Sequence, residues 1–485
     1  MTTAAPDPHR TVGGIDLQAC TIDQLQAAMA AGLTCVELVG VYLARITEHD
    51  RRTCSVLATS PTALANAARL DRERAAGRLR GPLHGVPLLL KDNVGTADQP
   101  TTAGSVALAG LQPRADAHLV GKLRAAGAVV LGKTNLSEFA NWVDPSMPNG
   151  WSGLGGQVRG AFTLADPSGS SSGSAVATAL ALAAATVGSE TSGSILSPAS
   201  VAGIVGVKPT RGLVSRTGVV PLAEGFDTAG PMTRTVRDAA VLLTVMAGSD
   251  PADPATLEAD RHRVDYAAAL AGATLDGARL GVSPRLRDDL EPAEKDVYDA
   301  ALQLLRDRGA VVVETTALDD ATALGLTLLG LIPAAFRIGL DAYLATAAPA
   351  PDSGVRSLAD IVRFNEQHPS AVPHGQGLLV ASVVFPGDAE AVAAASAALR
   401  AVQTRAIEEA TADLDGLVAP GAAWSNLGAS AGCPSVVVPA GLAGEVPLGL
   451  CFLGTPWSEV RLLRLAAAFE QAAPARPLPP LHPAL

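Results

Sequence analysis

Short apolar runs alternate with amphipathic patterns along most of the chain. Apolar residues recur at the three-to-four-residue spacing typical of helices over 22–31, 36–49, 61–76, 118–126 and 458–471. Short apolar runs typical of buried strands occupy 86–92, 128–131, 417–419, 435–438 and 448–452. Because strands and helices alternate in this way, the pattern predicts an α/β domain built on a largely buried sheet.

Two stretches depart from this alternation. The first, 151–173, is rich in Gly and Ser and leads directly into a helical pattern. The second, 250–415, is mostly helical in pattern and contains a Pro-rich interruption at 347–352, so we expect an insertion or a cap on the sheet. The chain then divides into an N-terminal helical section, a core, a variable helical section and a C-terminal section that completes the sheet, with bounds 1–80, 81–250, 251–415 and 416–485.

Charge and composition narrow the class of partner. The 485 residues carry 36 Lys and Arg against 47 Asp and Glu, a net charge of −11, and only 17% are charged. Such an acidic chain is poorly suited to a phosphate backbone, so we expect no nucleic acid partner. The five cysteines are scattered and form no CxxC pair, which favours reduced thiols over a disulfide framework or a zinc site.

The distribution of apolar residues bears on membranes and targeting. The N-terminus shows no basic segment followed by an apolar one, so we expect no signal peptide. The stretch that we single out as the longest nearly apolar one, Ala175 to Val187, is shorter than the about 20 residues that a spanning helix needs. We therefore expect a cytoplasmic protein with no membrane partner.

One motif match is rejected because of its structural context. Residues Gly127 to Thr134 satisfy the phosphate-loop pattern GxxxxGK[ST]. That chemistry needs an open loop whose N–H groups face phosphate, whereas the four central residues here are Ala-Val-Val-Leu, which predict a strand. We therefore expect no nucleotide site at this motif.

A second match concerns a nucleophilic serine. Gly169 to Gly173 fits the GxSxG nucleophile elbow, with Ser171 as the nucleophile. An elbow needs a strand that runs directly into the serine, but 165–168 predicts a turn. The downstream histidines have no distinctive setting; they are His262, His368, His374 and His482. A Ser-His-Asp esterase that uses Ser171 is retained as an alternative.

One of the five lysines ends the most apolar of the predicted strands. Lys91 directly follows three leucines, Leu88 to Leu90. Burial at this position lowers the pKa of the amine, because desolvation disfavours the charged form, and a neutral lysine can act as a general base. The alternative is a strand-end lysine whose ammonium group reaches water.

Two serine-rich turns each precede a predicted helix. Residues 168–174 read SGSSSGS and residues 188–194 read GSETSGS. Backbone N–H groups and the positive end of a helix dipole meet at such a turn, which is what an oxyanion hole needs. Taken singly, each turn is equally typical of a loop with a serine helix cap, so the interpretation depends on their combination with Lys91.

This combination resembles the amidase signature family. The resemblance is carried, in this order, by GVPLLLKDN at 85–93, SGSSSGS at 168–174, SETSGSILSPASVAGIVGVKPTRG at 189–212 and FDTAGPMTRTVRDAA at 226–240. Glu190 before Thr191 and the GSSSGS form of the first turn are most similar to the peptide-amidase branch. The resemblance implies one large α/β domain with a central mixed, twisted β-sheet covered by helices on both faces.

Carried over residue by residue, the resemblance implies a Ser-cisSer-Lys triad. Ser194 is then the nucleophile, Ser170 the bridging serine after a cis peptide bond, and Lys91 the base. No metal or other cofactor is implied. The resemblance also implies an oxyanion hole made by the N–H groups of an anion loop, and Ser171 is assigned with this loop to oxyanion or substrate binding. The loop residues are Thr191, Ser192, Gly193 and Ser194.

The chain departs from the family pattern at two positions. Ser192 stands where many members have a glycine, and Leu196 stands where many have an arginine. Loss of the arginine, together with an Ala-rich middle section, favours neutral or hydrophobic substrates over small charged amides. His84 and Asp227 flank motif positions, and we interpret both as structural residues that help to hold the loops.

We therefore expect a serine hydrolase that cleaves linear amide C–N bonds, such as peptide C-terminal amides or aryl acyl amides. Carbamate (urethane) and ester bonds stay open as substrates, because the same attack and the same oxyanion serve them. The section 315–400 is expected to shape the leaving-group pocket, with Phe336, Tyr343 and Phe364 as candidates for its lining. The expected partner is a small-molecule amide or carbamate, and the chain is expected to be a monomer or a homodimer.

Two other functions are compatible with the sequence. The first is the glutaminase subunit of a tRNA amidotransferase, which shares the triad but works in a complex. The second is a non-catalytic binding protein on the same fold, which the intact Lys91, Ser170 and Ser194 disfavour.

Overall fold

A computed structural model describes residue 7 and residues 9–346 and 354–480. The Pro-rich interruption at 347–352 and His482 lie outside these residues. The strands are β1 Thr11–Val12, β2 Ile15–Asp16, β3 Val56–Thr59, β4 Pro87–Lys91, β5 Val129–Thr134, β6 Trp151–Ser152, β7 Gly156–Gln157, β8 Ala185–Glu190, β9 Val205–Lys208, β10 Thr228–Thr233, β11 Arg279–Val282, β12 Val311–Glu314, β13 Gly416–Pro420, β14 Ser435–Ala443 and β15 Val446–Leu453. The α-helices are α1 Ile22–Ala30, α2 Cys35–His49, α3 Ala63–Ala75, α4 His118–Ala125, α5 Glu138–Asn141, α6 Ser172–Ala179, α7 Leu196–Val201, α8 Val236–Met246, α9 Ala259–His262, α10 Pro284–Asp288, α11 Pro292–Asp307, α12 Asp319–Gly325, α13 Leu328–Thr346, α14 Leu358–Gln367, α15 Gly377–Val384, α16 Ala389–Ala410, α17 Ser425–Ala431 and α18 Glu459–Ala472.

Eleven of the described strands form one mixed sheet, in the order β12-β11-β13-β15-β14-β9-β10-β8-β4-β5-β3. Strand β4 is parallel to both β5 and β8, whereas β8, β10, β9, β14, β15 and β13 follow one another in antiparallel pairs. Every residue of β4, β5, β8, β9 and β10 is buried, which requires cover on both faces of the sheet. The predicted single α/β domain with a mixed central sheet is confirmed.

The structure departs from the predicted elements in two places. The apolar run 175–187 is not one element, because α6 ends and β8 begins within it, with Ala181 between them at a left-handed φ of 53°. The 250–415 section also contributes β11 and β12 to one edge of the sheet, where β11 is parallel to β13. Each of these strands has four residues, which is too short for periodicity to distinguish from neighbouring helical pattern.

The helices of section 315–400 cover a second hydrophobic cluster beside the sheet. Helix α13 turns toward this cluster a row of buried side chains at four-residue spacing: Leu328, Ile332, Phe336, Leu340 and Leu344. Residues Ala323–Thr346 are long and apolar enough to cross a membrane by length and composition, and 44% of their apolar 18-residue segment is buried. This run is longer than the 175–187 stretch, so our choice of the longest apolar stretch is wrong. A helix in the core of a protein has the same kind of buried row that α13 shows.

A close backbone approach at Gly173 positions the first serine-rich turn. The Gly173 N–H donates to Asn135 O at 3.1 Å. A Cβ at Gly173 lies 2.3 Å from the backbone oxygens of both Ser55 and Asn135, far inside van der Waals contact. The second glycine of SGSSSGS therefore lets α6 begin directly against the chain that leaves β5.

We expect Gly173→Ala to lower the free energy of unfolding by about 3 kcal/mol, because the clashing atoms belong to backbone and cannot rotate away. Urea unfolding of the full chain measures the effect. Gly40→Ala is the matched control, since an added Cβ in the middle of α2 meets no atom within 4 Å. That variant should gain about 0.5–1 kcal/mol. Equal midpoints for Gly173→Ala and the unmodified protein would contradict the close approach.

Candidate active site

Lys91 is the last residue of β4, and its side chain is fully buried. Its Nζ lies 2.8 Å from Ser170 Oγ, 3.0 Å from Ser189 Oγ and 3.1 Å from Ser189 O. Burial lowers the pKa of Lys91 to about 7, although the carboxylates of Glu190 and Asp227 act in the opposite direction. The side chain does not reach water, so the alternative of a solvated strand-end lysine does not hold.

The register of the sheet brings Lys91 to Ser189. Strands β4 and β8 are parallel, with Leu90 opposite Val187, so their carboxyl ends meet at the same edge of the sheet. Asn93, two residues after the lysine, donates from Nδ2 to Ser189 Oγ at 2.8 Å. Sequence analysis did not single out Ser189 or Asn93. Both lie inside the quoted motifs, but only the strand register shows that they meet.

The two serine-rich turns meet beside Lys91. The Gly169–Ser170 peptide bond is cis, as the resemblance implies, and Ser170 is fully buried. The Ser171 N–H donates to Ser194 O at 3.1 Å, which ties the first turn to the second. Ser194 keeps 7% of its surface exposed, more than Lys91 or Ser170. No hydrogen bond joins the Ser170 and Ser194 hydroxyls within the described part of the chain.

Glu190 holds the anion loop from inside the protein. Its Oε2 accepts from the N–H groups of Ile195 at 2.7 Å and Leu196 at 3.0 Å, at the start of α7, and its carboxylate also accepts from the Gly193 N–H. Burial raises the pKa of the Glu190 carboxyl, while Lys208 and these N–H groups oppose the change. The carboxylate therefore accepts hydrogen bonds from loop N–H groups that would otherwise need water. One of these donors, the Gly193 N–H, is among the four that were expected in the oxyanion hole.

The remaining N–H groups of the loop have no protein acceptor among the described residues; they belong to Thr191, Ser192 and Ser194. Only Gly193 adopts a left-handed φ, of 79°, so Ser192 replaces the family's glycine without backbone strain. The Ser192 hydroxyl contacts Asn426 Oδ1 on α17. Three N–H donors beside a serine that stays partly accessible can stabilise an oxyanion.

Of the two residues interpreted as structural, Asp227 holds loops beside the anion loop, whereas His84 precedes β4 at the end opposite to Lys91. Asp227 accepts from Thr191 Oγ1 at 2.5 Å and from the N–H groups of Leu222 and Ala223, both at 2.9 Å. His84 is buried, with its Nε2 3.0 Å from Leu70 O. Burial lowers the pKa of His84.

Ser171 faces backbone atoms. Its hydroxyl is fully buried, donates to Ser189 O at 3.0 Å and accepts from Ser189 N at 3.3 Å. Three of the downstream histidines pack on aromatic rings elsewhere: His262 on Trp457, His368 on Phe364 and His374 on Trp151. Within the described residues no histidine is positioned to activate Ser171.

The phosphate-loop match is a strand, as predicted. Its lysine, Lys133, lies in β5, is buried, and donates to Val94 O at 2.6 Å and to Thr101 Oγ1 at 2.7 Å. Asp92 lies 3.7 Å from the same Nζ. Lys133 therefore binds acceptors within the protein, and its ammonium group does not face a ligand site.

One group of potential metal ligands occurs in the described residues, formed by Asp7, Glu48 and His49. Arg45 already pairs with Asp7 at 2.5 Å, so this group fits an ion pair. None of its members touches the residues around Lys91.

The three aromatic candidates for a pocket lie in different settings. Phe336 is buried, with its ring centroid 5.5 Å from that of Phe139 in an edge-on contact. Tyr343 lines a cavity together with Asp227, and Phe364 stacks on His368. Phe139 follows Ser137, whose N–H donates to Ser170 O at 3.1 Å, so section 315–400 reaches the site through this segment.

Comparisons with known proteins agree with this geometry. The family model described as Amidase matches residues 37–428. A solved structure of native peptide amidase from Stenotrophomonas maltophilia is 43% identical, with a TM-score of 0.89, over 96% of this chain and 99% of that one. An Arabidopsis thaliana protein named as a probable amidase is 37% identical over 97% of this chain and 93% of its own length. A glutamyl-tRNA(Gln) amidotransferase subunit from Chloroflexus aurantiacus is 33% identical over 94% and 97%.

Proposed function

The chain belongs to the amidase family of hydrolases, and from this premise we propose that Ser194 is its nucleophile, Ser170 its proton relay and Lys91 its base. The observation that carries the proposal is the 2.8 Å hydrogen bond between the buried Lys91 Nζ and Ser170 Oγ. This bond lies beside the turn that holds Ser194, the most accessible of the three side chains.

The contacts of Lys91 support its proposed role as base. The Ser189 carbonyl and hydroxyl lie at two of its three hydrogen-bonding positions, which leaves the third toward Ser170. In the neutral amine the lone pair can therefore accept the Ser170 proton while Ser170 Oγ takes the proton of Ser194. A base with a pKa near the working pH suits this transfer.

The proposed reaction has two halves. Ser194 Oγ attacks the amide carbon as its proton passes to Ser170 and the Ser170 proton passes to Lys91. The carbonyl oxygen becomes an oxyanion that accepts from the free N–H groups of the anion loop. The proton then returns through Ser170 to the leaving nitrogen, the C–N bond breaks, and water releases the acid from the acyl-enzyme by the same route.

The proposed substrates are neutral or hydrophobic linear amides, with aryl carbamates as a second class. The position of the family's arginine is taken by Leu196, which is fully buried at the start of α7 and offers no cation to a charged substrate. The 43% identity to peptide amidase exceeds the 33% identity to the amidotransferase subunit, which supports an enzyme that acts without a partner chain. The proposed reaction uses no cofactor, and we propose a cytoplasmic location.

The test is hydrolysis by the purified chain without any partner. We expect nitroaniline release from a neutral acyl nitroanilide. The rate of nitrophenol release from an aryl carbamate under the same conditions then shows which of the two bonds, amide or carbamate, is hydrolysed faster. The matched substrate is the same nitroanilide with a carboxylate on its acyl group, which we expect to react more slowly because Leu196 offers it no cation. Activity only on glutamine, and only with a partner chain, would favour the amidotransferase function instead.

A further inference from the structure

A cavity of about 260 Å³ lies between α13 and α16, above the loop that precedes Asp227. Lys91, Ser170 and Ser194 do not line it. Part of its wall is apolar, with Ala335 and Ile338 from α13 and Val392 from α16. Arg400 lies eight residues after Val392 on the same helix, about 12 Å further along its axis, so the cavity is elongated with a cationic end.

The cationic end holds two arginines without a counter-ion. Arg211 donates from Nε and Nη2 to Glu224 O at 3.2 and 3.0 Å, and Arg400 donates from Nη1 to Gly225 O at 2.9 Å. These acceptors are neutral carbonyls, and neither guanidinium forms an ion pair with a described carboxylate. The neighbouring Arg216 is different, because it pairs with Asp253.

The charge balance at this end favours an anion. Burial lowers the pKa of Arg211 to about 10, and the positive charges of Arg216 and Arg400 act in the same direction, whereas the carboxylates of Asp253 and Asp227 act against it. Arg211 stays charged at neutral pH, because this value lies well above 7, and burial and the charge of Arg216 lower the pKa of Arg400 as well. Glu224 also lines the cavity, but its side chain is exposed and forms no ion pair with Arg211 or Arg400. Arg211 and Arg400 are only half-buried, and a bound anion supplies the ion-pair partner that neither has among the described carboxylates.

We propose that this cavity binds a small amphipathic carboxylate, with its head on Arg211 and Arg400 and its apolar tail between α13 and α16. The planar guanidinium groups match a carboxylate in bidentate geometry. Ser396, 2% exposed, also lines the cavity, and its hydroxyl makes no hydrogen bond to a described residue, so it can donate to the same head group. The apolar wall selects a ligand with a hydrocarbon tail over a free inorganic anion. This site is separate from the catalytic residues proposed above and does not depend on them.

Isothermal titration of the full chain with octanoate tests the proposal, with octan-1-ol as the neutral analogue. We expect saturable octanoate binding and none of octanol at the same concentrations. Arg211→Gln and Arg400→Gln should each weaken octanoate binding about tenfold or more, as expected for loss of a charged hydrogen bond. Val392→Phe, which fills the apolar part and keeps both arginines, should also abolish binding.

Arg337→Gln is the matched control, because Arg337 lies on α13, also donates to a backbone carbonyl (Gly387 O at 2.8 Å), and does not line the cavity. We expect it to leave the affinity unchanged, and thermal unfolding reports whether each variant is folded. If an arginine variant does not fold, Val392→Phe and the octanol comparison decide. Absence of octanoate binding to the unmodified chain, equal binding of octanol, or loss of binding in Ser194→Ala would each overturn the proposal.

Discussion

Ser194→Ala is expected to lower kcat/KM for a neutral acyl nitroanilide by about 10⁴- to 10⁶-fold, the range seen when a serine nucleophile is removed. The residue keeps 7% of its surface exposed, so the hydroxyl can meet a substrate, while the loop that carries it is anchored by Glu190. Since alanine removes only the hydroxyl, the free energy of unfolding should change little. Initial rates and urea unfolding of the same preparations separate the two effects.

Ser171→Ala is the matched control for this prediction. Ser171 lies next to the relay serine, but its hydroxyl contacts only the backbone of Ser189, so we expect activity within about tenfold of the unmodified enzyme. Mass spectrometry after reaction with an aryl carbamate should find the carbamoyl group on Ser194. If Ser171→Ala is inactive while Ser194→Ala keeps its rate, the nucleophile is wrongly assigned and the elbow interpretation returns.

The position of Lys91 could be predicted from sequence because one local property decides it. Three leucines before the lysine place it at the end of a central strand, and such a strand is buried on both faces. Local sequence therefore allowed burial with a lowered pKa but left a solvated strand-end lysine open, and the family resemblance decided between the two. The cis bond at Ser170 came from the family resemblance, since no local rule predicts a cis bond before a residue other than proline.

The surroundings of Lys91 could not be predicted in the same way. Its contact with Ser189 depends on the register between β4 and β8, strands that lie almost 100 residues apart in the chain. The role of Glu190 is also non-local, because its carboxylate turns back to N–H groups of residues that follow it and faces Lys208 on β9. Sequence motifs therefore identified the reacting side chains, while the groups that orient them appeared only with the fold.

The 250–415 section shows a second limit of pattern analysis. Its helices were predicted, but β11 and β12 were not, because a four-residue strand at the edge of a sheet has too few positions to show a period. The contribution of this section also depends on contacts with residues that lie far away in the sequence. Phe336 reaches the site through its contact with Phe139, and the arginine pair involves Arg400 from this section and Arg211 from the core.

We expect kcat/KM to rise with pH and to level off above about 7, because only the neutral amine of Lys91 can accept a proton. The lysine is protonated below its pKa, which burial lowers to about 7, so each pH unit below that value should cost about tenfold in rate. Lys91→Ala should lower the plateau by about 10²- to 10⁴-fold, the range for loss of a general base, and should remove the inflection near 7. Rates at saturating and subsaturating substrate across pH 5 to 9 measure both effects.

Lys133→Met is the sharpest control for this pH dependence, because Lys133 is a second buried lysine on the adjacent strand. Burial lowers its pKa too, to about 8, but its Nζ binds Val94 O and Thr101 Oγ1 and does not reach Ser170. Removing it should reduce the free energy of unfolding, because Asp92 loses a buried partner, yet the inflection near pH 7 should stay. If the inflection disappears in Lys133→Met and persists in Lys91→Ala, the titrating group is Lys133 and our assignment to Lys91 is wrong. An inflection that persists in both would mean that another group controls the rate and that Lys91 is not the base.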